Sequence, residues 1–182
     1  MRAAIFVSLA VAIALVGYFY MESGQPGGSK RSGISVSDEK ITLEGVHLIQ
    51  KKDNVRELEL VAESAAIAID ESYTDLKKFT VVSYSEKSGK LTMNAENGKM
   101  INATKDVTAS GGVLFRQESG AALITDNVNW SNSAREIRTE DEVRVFGGNF
   151  ILTGKGMVVH LDEEKVEVLS NINATFYEDE KK

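Results

Sequence analysis

The sequence predicts an all-β domain, a folded-over antiparallel sheet of the β-jellyroll (β-taco) type made of stacked strand–turn–strand repeats, preceded by one transmembrane α-helix. Three observations predict this fold. Beyond residue 33, apolar residues alternate with polar ones and follow no sustained helical period. Similar segments recur about every thirty residues. The long uncharged run of the chain lies at its N-terminus, in residues 3–21.

The N-terminal run, within "MRAAIFVSLAVAIALVGYFYME", predicts a membrane anchor over residues 1–22. Its 19 uncharged residues would span about 28 Å as a helix, close to a hydrocarbon core of about 30 Å. Arg2 precedes the run and Glu22 follows it, so we expect the N-terminus to stay cytoplasmic. A cleaved signal peptide is the alternative, but bulky aromatic residues stand where its cleavage site would need small ones.

A glycine- and serine-rich segment, "SGQPGGSKRSG", follows the apolar run and contains the single proline of the chain. This composition is typical of a flexible tether, which we place at residues 23–33. The remainder is predicted to form one domain on the outer side of the membrane, over residues 34–177. A charged tail, residues 178–182, ends the chain.

Four segments show the repeat most clearly: "AESAAIAID" from Ala62, "AENGKMINA" from Ala95, "TDNVNWSNS" from Thr125 and "GKGMVVHLD" from Gly154. Their starts are 33, 30 and 29 residues apart. The sixth place of each segment holds a large apolar residue, namely Ile67, Met100, Trp130 and Val159. Each segment continues through a polar turn into a second alternating strand. One such unit cannot bury its apolar face alone, so we expect the units to stack with these residues inside.

The inward-facing rows allow two interpretations. They either pack against each other as a closed sandwich core or form an open groove that holds a ligand. The sequence leaves both open. The mixture of large residues with small ones such as Ala62 and Ala95, and with the adaptable Met93, Met100 and Met157, slightly favours the groove.

Charge and composition argue against several function classes. A net charge of −6 argues against nucleic-acid binding, and the absence of cysteine excludes disulfides, thiolate metal sites and a thiol nucleophile. The two histidines, His47 and His160, are isolated in the sequence, and acidic clusters such as "DESYTD" and "TEDE" fall in turns. We therefore expect no metal, no cofactor and no enzymatic activity. No residue pattern in the sequence supports the interpretation of the chain as an anchored hydrolase.

Three segments resemble the LptC family: "GVHLIQKKDNVRELELVAESA" (45–65), "LTMNAENGKM" (91–100) and "LITDNVNW…TEDEVRVFGG" (123–148). With the anchor matched by position, the resemblance extends over about residues 34–177. It implies a bitopic inner-membrane protein with an OstA-like periplasmic domain. Such a protein receives lipopolysaccharide from the membrane ABC transporter and passes it to the next periplasmic bridge protein. Gly147 and Phe79 match a glycine and an aromatic position of the family.

Under this resemblance, the inward-facing residues become the expected lining of a passage for the acyl chains of lipopolysaccharide. The expected lining consists of Leu60, Ile67, Phe79, Met93, Met100, Phe115, Trp130, Phe150 and Val159. Partner proteins are expected to dock on exposed strand edges. The C-terminal strand would offer Ile172, Ala174, Phe176 and Tyr177 to the downstream protein. The strand "KITLEGVHLIQ", taken as the first of the sheet, would offer Ile41 and Leu43 to the transporter.

Other interpretations share part of these observations. A membrane-anchored scaffold or adaptor that binds no lipid would have the same anchor and the same repeats. A soluble bridge protein would differ only by cleavage of its N-terminal segment. At the C-terminus, the acidic tail could serve only to block aggregation.

Overall fold

The computed structural model describes residues 33–177, except 38, 53, 86–88, 161–162 and 164. The predicted anchor, nearly all of the tether and the charged tail lie outside the described residues. Within the described part, the structure contains no helix that could span a bilayer. Ten strands occur there: β1 (Ile34–Val36), β2 (Lys40–Lys52), β3 (Val55–Ala68), β4 (Tyr73–Ser85), β5 (Gly89–Ile101), β6 (Val107–Gln117), β7 (Ala122–Ser131), β8 (Glu136–Phe146), β9 (Phe150–His160) and β10 (Lys165–Phe176).

The strands form one antiparallel sheet in which each strand pairs with its neighbours in chain order. The connections between successive strands are short, and the one in "DESYTD" between β3 and β4 forms a turn. β1 and β10 form the two edges of the sheet. The all-β, antiparallel part of the predicted fold class is therefore confirmed.

A crease crosses the sheet near the middle of the strands. In β3, the buried residues Ala62 and Ala65 lie on either side of it, three residues apart, whereas side chains on one face of a regular strand stand two apart. The same step of three occurs in β5, β7 and β9, between Ala95 and Gly98, Thr125 and Val128, and Gly154 and Met157. These are the first and fourth places of the four sequence repeats. Each repeat therefore begins at the crease.

The strand ladders are interrupted along the same line. Five consecutive ladders, from β5–β6 to β9–β10, shift register there. Left-handed φ angles occur in the interruptions, at Gly45, Lys78, Gly111, Gly112, Gly156 and Asn171. Because a β-bulge bends its strand and increases the local twist, bulges aligned across a sheet bend the sheet along that line. Each strand from β2 to β10 thus contributes one half to each of two walls.

Burial indicates that the two walls face each other. On one face of the sheet, Val113 and Val143 are 0% exposed, Phe115 is 1% exposed and Trp130 is 2% exposed. A single sheet leaves both faces in water unless another layer covers one of them, and no helix does so in the described part of the chain. Buried residues from β2 to β9 form one contiguous cluster. We infer that the sheet folds over along the crease, with the Trp130 wall on one side and the Phe115 wall on the other.

Gly112 offers a test of the crease. Its φ is +84°, and a Cβ added there would meet no atom within 4 Å, so backbone conformation alone disfavours a side chain. We expect Gly112→Ala to lower the free energy of unfolding by about 1–2 kcal/mol. The measurement is urea denaturation of the full chain, followed by the fluorescence of its single tryptophan.

Gly148 is the matched control, because a Cβ there also meets no atom within 4 Å but its φ lies outside the left-handed region. Gly148→Ala should change the free energy of unfolding by about 0.5 kcal/mol or less. Equal losses in the two variants would contradict the assignment of strain to the crease.

Candidate functional site

An unbroken row of directly paired residues crosses the Trp130 wall. Paired residues in antiparallel strands point to the same face, so strand register decides which side chains share the row. We call it the Trp130 row; it consists of Ile41, Ile67, Thr74, Met100, Val107, Trp130, Ile137, Val159 and Val166. It contains the sixth-place residue of every repeat. The four repeats therefore place these residues on one face, as the sequence predicts.

A second row crosses the facing wall. We call it the Phe115 row; it consists of Leu48, Leu60, Val81, Met93, Phe115, Leu123, Val145, Leu152 and Ala174. Three of the predicted lining residues, Leu60, Met93 and Phe115, belong to it. Each of these three is at most 9% exposed. The structure thus brings most of the predicted lining into two rows on the same face of the sheet.

The remaining predicted lining residues, Phe79 and Phe150, flank the Phe115 row. Phe79 is buried beside the crease, and its ring lies over Gly98, where an added Cβ would come within 2.8 Å of Phe79 Cε1. Phe150 is half-buried at the other margin, with its ring centroid 6.0 Å from that of Phe176. A Cβ on Gly147 would overlap the Phe150 ring, so the glycine matched to the family is required by local packing.

Packing differs between the middle of the sheet and its ends. In the middle, Trp130, Phe115 and Leu123 are each at most 2% exposed, so the interior there is filled by the protein's own side chains. Toward the β1 end, Ile67 is half-buried and Ile41 is 37% exposed. Toward β10, Val166 of the Trp130 row is half-buried and Ala174 of the Phe115 row is exposed. The interior is therefore a closed core in the middle and more open at both ends.

The inward face also carries polar residues that sequence reasoning missed. Thr74, Ser83, Thr125 and Thr139 are all at most 4% exposed. The Thr125 and Thr139 hydroxyl oxygens lie 3.3 Å apart, so one hydroxyl donates a hydrogen bond to the other. Trp130 Nε1 is buried and has no hydrogen-bond partner among the described residues. The alternation in "LITDNV" and "EIRTED" could have indicated that Thr125 and Thr139 point inward, since each stands at an inward position of its pattern.

Charged side chains lie on the opposite, outward face. Lys99, next to the inward Met100, is exposed and places its ammonium 4.1 Å from the ring centroid of Tyr73. His160 is half-buried beside Glu136, with Nδ1 3.5 Å from a carboxylate oxygen. The described residues include no group of three or more histidines and carboxylates that could hold a metal ion. The site consists of an apolar inside and a polar outside.

The two edges of the sheet differ from each other. β10 is an edge strand; Ile172, within the irregularity between Ser170 and Asn173, is 59% exposed, and Phe176, beyond it, is 63% exposed. Ala174 and Tyr177 are exposed at the same edge.

At the other end, the prediction that "KITLEGVHLIQ" forms the first strand is wrong. β1 precedes it and pairs Ile34 with Leu43 and Val36 with Ile41. Ile41 and Leu43 therefore lie between β1 and β3, and the unpaired part of the β2 edge begins beyond them. Three alternating residues directly after a glycine- and serine-rich tether were too few to indicate a strand.

A comparison with protein families decides the assignment. The family described as "Lipopolysaccharide-assembly, LptC-related" matches residues 6–178, nearly the whole chain. The chain belongs to the LptC family. No curated protein matches the sequence. Membership of the LptC family gives the chain a role in lipopolysaccharide transport, in the inner-membrane-associated periplasmic bridge, and LptC is not a known enzyme family.

Glu59 is the centre of a polar cluster on the outward face. Its carboxylate lies 2.7 Å from His47 Nε2 and 2.9 Å from Arg56 Nη1, and it accepts a 3.0 Å hydrogen bond from the Tyr84 hydroxyl. Burial raises the pKa of Glu59, but the hydrogen bonds with His47 and Tyr84 and the charge of Arg56 outweigh burial, so the pKa lies below its ordinary 4.5. Folding therefore favours the ionised carboxylate.

This pKa shift predicts a pH-dependent contribution to stability. Because the folded-state pKa is lowered, the contribution is complete above pH 4.5 and is lost as the pH falls through the folded-state value. Glu59→Gln should lower the free energy of unfolding by about 0.5–1 kcal/mol at pH 7, and the difference from wild type should shrink below pH 4.5. Urea denaturation across pH 3–7 measures this difference in the free energy of unfolding. Glu142→Gln, which removes an exposed carboxylate, is the control for the substitution itself; a Glu59→Gln deficit that persists at low pH would contradict the prediction.

Proposed function

We propose that this LptC protein takes lipopolysaccharide from a membrane ABC transporter into the apolar interior between its two walls and passes it to the next periplasmic bridge protein. The continuity of the Trp130 and Phe115 rows across successive strands carries this proposal. Each acyl CH₂ exposed to water costs about 0.8 kcal/mol. An apolar interior that extends across the whole sheet would remove this penalty for acyl chains while the sugars stay in solvent.

The lower burial at the two ends of the sheet supports entry of an acyl chain at one end and its release at the other. In this proposal the acyl chain enters at the β2 end and leaves at the β10 end. In the middle, the side chains must move apart, which the flexible Met93, Met100 and Met157 favour. The chain has no energy source of its own in this proposal, and ATP hydrolysis by the transporter would drive the movement.

The membrane placement is part of the same proposal. Residues 1–22 would form an uncleaved anchor with a cytoplasmic N-terminus, because an uncharged run of suitable length follows Arg2. Residues 23–33 would tether the domain of residues 34–177 in the periplasm. The proposed protein is thus a bitopic inner-membrane component of the bridge.

A scaffold that binds no lipid is the second candidate function. The nearly complete burial of Trp130, Phe115 and Leu123 favours it, because a core filled by its own side chains needs no ligand. The two candidates differ in one observable, the presence of lipid between the walls. Lipid capture from inward positions therefore separates them.

Site-specific photo-crosslinking tests the lining. A photo-reactive amino acid at Met100 or at Trp130 should capture lipopolysaccharide in living cells, because both side chains point between the walls. The neighbouring outward positions Lys99 and Asn129 are matched controls on the same strands. Capture is read as a lipopolysaccharide adduct on a denaturing gel.

ATP dependence sharpens this test. Capture at Met100 should fall when the transporter's ATP hydrolysis is blocked, since lipid would then no longer be delivered. Capture only from Lys99 and Asn129, or from none of the four positions, would refute the lining and favour the scaffold.

Docking of the downstream bridge protein is proposed at the β10 edge, where backbone N–H and C=O groups lack a neighbouring strand and Ile172 and Phe176 are exposed. Deletion of residues 170–182 should leave membrane insertion intact and abolish capture of the downstream protein. Ile172→Asp should weaken that capture at least ten-fold, because the partner's apolar side chain would meet a charge. Co-purification from detergent extracts measures both.

Ile124→Asp is the matched control for this edge. Ile124 is 43% exposed and points outward from β7, in the interior of the sheet and far in strand order from β10. The Ile124→Asp variant should capture the downstream protein as efficiently as wild type does. If the deletion variant captures the downstream protein as wild type does, the β10 edge is refuted as the docking site.

A further inference from the structure

Trp130 carries a buried hydrogen-bond donor without a partner. Its side chain is 2% exposed, and no described residue accepts a hydrogen bond from Nε1. Buried polar groups in proteins are nearly always hydrogen-bonded, because an unpaired one loses its water without compensation. A phenylalanine would fill an apolar position without this cost. The indole N–H therefore needs an explanation that packing does not supply.

The surroundings of Trp130 define what could accept this hydrogen bond. Its paired neighbours are Val107 and Ile137, so the environment is apolar and unsuited to a charged group. The Arg135 guanidinium lies 5.7 Å from the ring centroid, in the turn that follows β7. Trp130 is the last residue but one of β7, so although it lies in the middle of the sheet in strand order, it has apolar neighbours on one side and the polar turn on the other.

We propose that Trp130 Nε1 donates a hydrogen bond to the hydroxyl oxygen of a 3-hydroxyacyl chain held between the walls. This inference rests on the proposed function, since it assumes that acyl chains enter the interior. A carbonyl at the linkage to a sugar stays with the solvated headgroup. A hydroxyl further along the chain is carried into the hydrocarbon, where it needs a partner. Trp130 supplies a donor there, so the protein selects hydroxylated acyl chains over plain ones.

The selection is tested with two amphiphiles that differ only in the hydroxyl group, N-(3-hydroxytetradecanoyl)glucosamine and N-tetradecanoylglucosamine. Their affinities for the full chain in detergent are measured by displacement of a fluorescent fatty acid. Wild type should bind the hydroxylated amphiphile on the order of five-fold more tightly, the ratio expected for one neutral hydrogen bond. Trp130→Phe should bind the two with equal affinity.

Two further forms of the protein distinguish the effect of the hydrogen bond from the effect of packing. Because the chain has a single tryptophan, growth on benzothienylalanine replaces the N–H of Trp130 alone by a sulfur at nearly constant ring size. This protein should also lose the preference, which keeps the test valid if Trp130→Phe folds poorly. Phe115→Leu removes inward ring volume without touching a donor. It should weaken both amphiphiles by a similar factor and keep the preference.

The outcomes distinguish this inference from the proposed function. If wild type binds both amphiphiles equally, or if both Trp130 replacements retain the preference, the hydrogen bond is refuted and lipid transport stands. If wild type binds neither amphiphile, the proposed function fails and the inference fails with it. A preference that is present in wild type and Phe115→Leu but absent from both Trp130 replacements supports the inference.

Discussion

Strand register is the constraint on which the rest of this structure depends. Side chains alternate between the two faces of a strand, so a slip of one residue in any ladder would move that strand's apolar residues to the outside. The Trp130 row remains continuous through β2 to β10 only because every ladder keeps its pairing. The buried apolar area in turn favours that pairing over its alternatives. Each ladder and the interior therefore stabilise each other.

The crease adds a second requirement to register. Where a bulge at the bend adds one residue to a strand, a sequence that kept strict alternation would present its second half with the wrong face inward. The three-residue steps in β3, β5, β7 and β9, such as that from Ala62 to Ala65, match this extra residue, whereas β6 and β8 keep an even step, from Ala109 to Val113 and from Thr139 to Val143. Small side chains at two of these steps, Ala62 and Ala65 in β3 and Ala95 and Gly98 in β5, leave room for the bend. The place where the sheet folds and the place where the sequence repeat begins are the same for this reason.

Alternation in the sequence was sufficient to predict the strands, the antiparallel sheet and the shared face of Ile67, Met100, Trp130 and Val159. The position of the crease was not predicted, although the first and sixth places of a repeat can share a face only if the alternation is interrupted between them. β1 was missed because three residues give too short a pattern, and its presence changes the environment of Ile41 and Leu43. The unpaired N–H of Trp130 depends on tertiary contacts that no local pattern reveals.

The point at which the chain enters the domain has a geometric consequence. Gly33 accepts a hydrogen bond from the backbone N–H of Glu44, which directly precedes the bend in β2 at Gly45. The described part of the chain therefore begins at the crease, away from the turns that lie along the two free margins of the walls. β1 then continues from Gly33 along the Ile41 half of β2 only, so the Trp130 wall is one strand wider than the Phe115 wall at this edge.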